Sequence, residues 1–243
     1  MGVVLSVTES RFPARQPGTC RQFVFIPGLG LSARYLTRLA ESLSLHGDVW
    51  IAEVRMARGS PPGQTLTISE VAGAVIEWME QRHLGPAVIL GHSFGAQVAV
   101  ALATQANSRV QALVLASASI DDSARTFFAQ FWRLMRNALR EPPRMVFIAV
   151  FDYLRHPHHV LRMFRAALAD ATETKLPAIR VPALVIRGAE DVVVSAQWEE
   201  RVARLLPNGK LVTIPGAAHA VVYSAAQQVA NAVAEFTESA CAD

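Results

Sequence analysis

Lysine is scarce in this chain. It occurs only at Lys175 and Lys210, and arginine carries nearly all the positive charge. Charged residues of both signs make up 18% of the 243 residues, below the roughly one quarter usual for soluble domains. The net charge is +3, and the basic residues are dispersed apart from a group between Arg125 and Arg165. No aromatic–basic interleaving is visible, so no nucleic-acid partner is expected. Cys20 and Cys241 are the only cysteines. Two isolated thiols without a short framework point to a reducing compartment, although domain termini often come close enough for a bridge. No apolar run reaches the roughly 18 residues that span a bilayer. Residues 1–20 have a short apolar run with no basic stretch ahead of it, unlike a secretion signal. The expectation is a cytoplasmic protein with no stable membrane insertion. Apolar residues are abundant, at 51%, enough for one domain with a full core, and such a composition excludes disorder.

The chain is organised around Gly91-His92-Ser93-Phe94-Gly95. A β-branched run stops at Gly91, and a helix-forming run starts straight after Ser93. The pattern G-x-S-x-G between strand and helix is a nucleophile elbow, which thrusts the serine hydroxyl above the end of a sheet. Around it, solid apolar runs alternate with helical periodicities: residues 23–26, 49–54, 87–90, 110–116, 183–187 and 211–214 read as strands. Helices are expected at 32–45, 68–82 (capped by Thr67 or Ser69), 94–105, after 191 and up to 238. Residues 1–20 are expected to supply an edge hairpin. Strands without in/out alternation mark a mostly parallel sheet covered by helices on both faces. Ligands bind such sheets at the carboxyl ends of strands, where Gly28, Ser93 and Ser117 fall.

The rhythm breaks over residues 119–180, too long for a structureless connection. Helical segments at 125–139, 145–154 and 160–169 are separated by Pro142-Pro143 and His156-Pro157. The expected domains are therefore a core of 1–118 and 181–243, with 119–180 as a helical cap over the carboxyl edge. Phe127, Phe131 and Trp132 in that segment are candidates for lining a substrate pocket; packing onto the core is the competing reading.

A serine hydroxyl needs a base, and the base needs an orienting carboxylate. His219 lies in a Gly/Ala loop just past a strand, and Asp191 lies just past another, both at the carboxyl edge. The order Ser93, Asp191, His219 is the one this elbow requires. Glu190 and, past another strand, Asp121 or Asp122 remain alternative acids. His156, His158 and His159 cluster in sequence, but no cysteine or acidic residue stands at ligand spacing. They read as surface, and no metal or cofactor is expected.

Pro27-Gly28-Leu29-Gly30, the elbow, Gly188-Ala189-Glu190-Asp191 and Gly216-Ala217-Ala218-His219 together resemble the α/β-hydrolase superfamily over about residues 22–238. The resemblance implies the α/β-hydrolase fold, with an oxyanion hole made by the backbone N–H groups of Leu29 and Phe94. It also implies that His92 packs beside the nucleophile. The chain departs from the family where Pro27 replaces a frequent histidine, which puts loop rigidity in question. Met56 and Arg58 stand at two glycine positions of another loop, where Arg55 and Arg58 read as solvated. The function so implied is a serine carboxylesterase acting on small to medium apolar acyl groups of a small-molecule ester. A thioesterase remains a rival on the same triad, encouraged by Arg133, Arg136, Arg140 and Arg144. So do a lactonase, a C–C bond hydrolase and a ligand-binding protein that does not turn over. Relatives with aspartate at the nucleophile position, such as haloalkane dehalogenases, are disfavoured by Ser93.

Overall fold

The structure is a computed structural model that describes residues 4–16, 21–56 and 65–240. Cys20, Cys241, Arg58 and the turn-rich stretch 59–63 lie outside the described residues. Strand β1 (Leu5–Phe12) is followed by β2 (Gln22–Ile26), a 3-10 turn at Ala33–Leu36, α1 (Thr37–Leu43) and β3 (Asp48–Met56). Then come α2 (Ile68–Gln81), β4 (Ala87–His92), α3 (Phe94–Gln105) and β5 (Val110–Ala116). After α4 (Phe127–Ala138), α5 (Pro143–Arg155) and α6 (Pro157–Ala169), the chain returns through β6 (Ala183–Gly188), α7 (Ala196–Leu205) and β7 (Gly209–Ile214), ending in α8 (Val221–Ser224) and α9 (Ala226–Ala240).

Among the described residues the strands form one seven-stranded sheet in the order β1-β3-β2-β4-β5-β6-β7. Pairing is parallel from β3 to β7, and β1 runs antiparallel along β3. The first strand is thus an edge strand, and the described part of residues 1–20 supplies this one strand, paired with β3, where an edge hairpin was expected. The chain moves to one side of β2 for β3 and to the other side for β4. That makes the carboxyl ends of β2 and β4 the switch point where a crevice opens.

Alternate strand residues feed two apolar cores. Val24, Ile26, Ile89, Leu113 and Val185 pack under α2 and α3, while Phe23, Phe25, Leu90, Val114 and Ile186 pack under α1 and α9. Both faces of the parallel strands are therefore apolar, which explains their solid runs in sequence. Helix α2 starts with a capping box: Thr67 Oγ1 accepts from Glu70 N–H at 3.1 Å, and Thr67 N–H donates to the Glu70 carboxylate at 2.9 Å. Two N–H groups that the helix cannot satisfy are met this way.

Of the helices between β5 and β6, α5 and α6 start earlier than the prolines suggested. Pro143 and Pro157 are the first residues of α5 and α6, where a missing N–H costs nothing and the fixed φ suits a helix. Hydrogen bonds tie α4, α5 and the turn between them to loops at the sheet's carboxyl end. Asp152 accepts from Ser32 N–H at 2.8 Å, Arg133 donates to Val193 C=O at 3.1 Å, and Glu141 accepts from Ala220 N–H at 2.7 Å.

Candidate active site

The elbow is built at the junction of β4 and α3. Ser93 has φ 53° and ψ −118°, a conformation that costs a non-glycine residue about 1–3 kcal/mol. Neighbours hold it there: Ser93 N–H donates to Ala116 C=O at 2.9 Å. The flanking glycines make room. A Cβ on Gly91 would strike the backbone of Gly95 and Ala96, and one on Gly95 would strike the carbonyls of Ile26 and Pro27. Helix α3 therefore passes directly over the end of β2.

The loops after β6 and β7 bring Asp191 and His219 to this serine. His219 Nε2 lies 2.9 Å from Ser93 Oγ, and His219 Nδ1 lies 2.8 Å from Asp191 Oδ2. Asp191 Oδ1 accepts from Val193 N–H and Val194 N–H at 2.7 and 3.0 Å. Burial alone would raise the Asp191 carboxyl. The charge of His219, its hydrogen bond and those two N–H groups outweigh burial and hold the carboxyl below its ordinary value. Burial also disfavours imidazolium at His219, but Asp191 and, more weakly, Glu141 raise it above the usual imidazole value. With Nδ1–H directed at Asp191, Nε2 accepts the Ser93 proton. Ser119 Oγ, 3.3 Å from Ser93 Oγ, is then the donor to Ser93 Oγ.

A buried hydrogen-bond chain joins the loop after β2 to the His219 loop. Gly28 N–H donates to Tyr35 Oη at 2.7 Å, and Tyr35 Oη lies 3.0 Å from His92 Nδ1. His92 Nε2 lies 3.0 Å from His219 C=O, which also accepts from Ser117 Oγ at 2.8 Å. One proton order satisfies every group: Tyr35 O–H donates to Nδ1, and His92 Nε2–H donates to the carbonyl. Burial and the neighbouring His219 push His92 down to about 3, so this ring is neutral. The rigidity that Pro27 put in question is thus supplied by Tyr35.

Leu31 N–H closes the loop on Gly28 C=O at 3.1 Å, with Gly30 at φ +63°. Among the described residues no acceptor engages the N–H of Leu29 or of Phe94, and Phe94 is the first residue of α3. A water-sized cavity of about 30 Å³ lies beside them, lined by Gly28, Gly30, Phe94, Met163, Glu53, Arg55, His156 and His159. Arg55 pairs with Glu53 at 2.8 Å and sits 3.1 Å from His156 Nε2. Arg55, His156 and His159, read from sequence as solvated or surface residues, therefore line this cavity; His158 is exposed. Burial lowers His159 to about 4, aided by Arg55 and His156.

Other candidates fall elsewhere. Phe127, Phe131 and Trp132 are 45, 44 and 63% exposed and are not among the residues lining that cavity. Their helix buries Gln130 and Asn137 instead. Glu190 is exposed, and Asp122 pairs with Arg201. Asp121 binds Arg133 at 2.9 Å and Ser195 N–H at 3.1 Å, so it latches α4 to the Asp191 loop and does not meet His219. Among the described residues no group of three or more histidines, cysteines or carboxylates is arranged to hold a metal ion.

Four participants escaped the sequence reading: Tyr35, Ser119, Glu141 and Glu199. Glu199 is fully buried. It accepts from Ala118 N–H at 3.1 Å and lies 3.4 Å from Arg187 Nε. Burial and the nearby Asp191 raise its carboxyl well above the ordinary value.

A serine on a strained elbow at a sheet's switch point, facing a histidine and a carboxylate from later strand ends, defines a class of hydrolase folds. The model of the alpha/beta hydrolase family matches residues 23–232, and the chain belongs to that family of hydrolases. Among curated proteins it is 27% identical over 191 residues to the dihydrolipoyllysine-residue acetyltransferase component of the acetoin cleaving system of Pseudomonas putida, covering 70% of this chain and 50% of that protein. The chain thus spans about half the length of that relative. Among solved structures, a hydrolase from Pseudomonas aeruginosa PA01 superposes with a TM-score of 0.77 at 24% identity, covering 96% of this chain and 94% of the other. The enol-lactonase from Burkholderia xenovorans LB400 gives 0.76 at 20% identity, covering 95% of each chain.

Proposed function

We propose that the chain is a serine hydrolase that cleaves carboxylic esters of small to medium apolar acyl groups through an acyl-enzyme on Ser93. One observation carries this reading: the continuous line from Ser93 Oγ through His219 to Asp191, at 2.9 and 2.8 Å. In this mechanism His219 Nε2 takes the hydroxyl proton as Ser93 Oγ attacks the ester carbonyl. Asp191 holds the ring and stabilises the imidazolium. Leu29 N–H and Phe94 N–H receive the developing oxyanion; a fixed donor of this kind is worth about 3 kcal/mol. His219 then passes its proton to the leaving alkoxide, and the acyl-enzyme forms. A water molecule, deprotonated by His219, attacks the acyl carbonyl and releases acid and free serine. No step needs a metal or an organic cofactor. Helices α4–α6 act as a cap, shielding the reaction from bulk water. The water-sized cavity, with Leu31, Val71 and Met163 among its apolar lining, favours short acyl groups.

The test is hydrolysis of p-nitrophenyl esters from acetyl to dodecanoyl by the wild type and by Ser93→Ala. The wild type is expected to show a burst and turnover on short or medium chains, and Ser93→Ala to lose about 10⁶-fold in kcat. Equal rates in the two proteins would remove the serine from the chemistry. A second reading, a cyclic ester or another substrate with a polar acyl part, is favoured by the cavity wall of Glu53, Arg55, His156 and His159. A preference for lactones over alkyl esters in the same assay would select it.

A further inference from the structure

Among the described residues, the large apolar side chains left exposed lie between Phe127 and Leu161, apart from Val4 and Leu45. They stand well out: Phe128 is 73% exposed, Trp132 63%, Leu139 90%, Phe147 72% and Leu154 76%. A surface helix normally turns its apolar stripe to the core. Helix α4 does the reverse, and hydrogen bonds fix it so. Gln130 donates to Ala124 C=O at 3.0 Å, Arg133 binds Asp121 at 2.9 Å, and Asn137 donates to Glu141 at 2.8 Å. Turning the helix would break all three.

The charge on this face has one sign. Between Phe127 and Ala169 the only carboxylates are Glu141 and Asp152, and both point inward, to Ala220 N–H at 2.7 Å and Ser32 N–H at 2.8 Å. Arg136, Arg140, Arg144, Arg155 and Arg165 are exposed among the apolar side chains, and Arg155 lies over the Phe151 ring at 5.8 Å.

We propose that the outer face of α4–α6 docks the protein on an anionic lipid surface, with the aromatic and leucine side chains entering the head-group boundary and the arginines pairing with lipid phosphates. Three features favour a bilayer over other occupants. The apolar rings form a contiguous patch, Phe127 against Phe128, Phe131 and Phe164 and Phe131 against Trp132, which a lipid boundary covers without needing a shaped partner. A second copy of this chain would set arginines against arginines. Arginine beside exposed tryptophan and phenylalanine is also the composition of an interfacial helix, which lies on a membrane without crossing it. No helix among the described residues is long and apolar enough to cross a membrane.

The experiment is flotation of the full chain with vesicles of phosphatidylcholine alone or mixed with phosphatidylglycerol, with intrinsic fluorescence as a second readout. Trp50, Trp78 and Trp198 are buried and Trp132 is exposed, so a blue shift on binding reports Trp132 alone. The wild type is expected to bind the anionic vesicles at least about ten-fold more tightly than the neutral ones, with binding weakened by salt. Phe128→Ser with Leu139→Ser and Phe147→Ser, and separately Arg136→Glu with Arg140→Glu and Arg144→Glu, are each expected to abolish it. These side chains are exposed, so circular dichroism and hydrolysis of a soluble ester should stay at wild-type levels. Absence of vesicle binding overturns the proposal. Equal binding to both vesicle types overturns it too, as does a dimer in light scattering that hides Trp132 from quencher.

Discussion

In α3 every residue from Phe94 to Ala103 is buried, and the one polar side chain among them, Gln97, donates to Ala167 C=O and Thr172 Oγ1 at 3.1 and 3.2 Å. In α4 the buried residues are Gln130 and Asn137, and the phenylalanines face outward. Both helices have apolar residues at helical spacing. The difference lies in what surrounds them. Helix α3 is enclosed between the sheet and its neighbours, so burying apolar area decides its packing. Helix α4 lies beside loops that present Asp121, Ala124 C=O and Glu141, and these acceptors capture its polar face. A periodicity therefore establishes that a helix has two faces; the partners decide which one is inside.

The comparison breaks if the tightly enclosed helix tolerates bulk. Gly95→Ala places a methyl group on the carbonyls of Ile26 and Pro27, backbone that cannot yield, and should cost about 3 kcal/mol or more. Urea unfolding measures it, and an unchanged midpoint would mean that α3 is not held against β2. Tyr35→Phe should cost about 1–3 kcal/mol, because it strands Gly28 N–H and His92 Nδ1 inside the core. The same variant should lower kcat more than it raises KM, since the loop carrying Leu29 loses its tether.

The contrast within the insertion is sharper still. Asn137→Ala should cost about 1–2 kcal/mol although it makes the helix more apolar. Phe128→Ser, which makes it less so, should change stability by less than about 0.5 kcal/mol. Reversed magnitudes in thermal unfolding would show that α4 packs by its aromatic face.

The smallest effect concerns pH. His219 accepts a proton only when neutral, and its folded-state value is raised, so the acid limb of kcat/KM should fall above the ordinary imidazole value of about 6.5. The stabilisation from its charged form is complete below that value and is lost as pH rises through the raised one. For Asp191, whose value is lowered, stabilisation is present above about 3.9 and lost as pH falls through the lowered one. Glu141→Gln removes one contributor to the His219 shift and should move the acid limb to lower pH; a limb that stays put would free His219 from the influence of α4–α5.

The sheet and the Ser93, Asp191 and His219 positions were legible because each is a local signal: an apolar run, a glycine and a reactive residue at a strand end. Tyr35 was not, since in sequence it is one more large residue on the face of a helix, and only folding brings its hydroxyl to Gly28 and His92. Glu199 and Ser119 are hidden for the same reason. The pairing of β1 with β3 is non-local, and no turn signal specifies it. Pro143 and Pro157 looked like breaks because a proline that ends one helix and one that begins the next look alike until the N–H partners are known.

The central claim is that Ser93 is the nucleophile, made reactive by His219. The most direct measurement is peptide mass spectrometry after treatment with a fluorophosphonate, on the wild type and on His219→Ala. A single adduct on Ser93 in the wild type, strongly slowed in His219→Ala, is the predicted result. No adduct, or one on Ser119 or any other serine, would contradict the account.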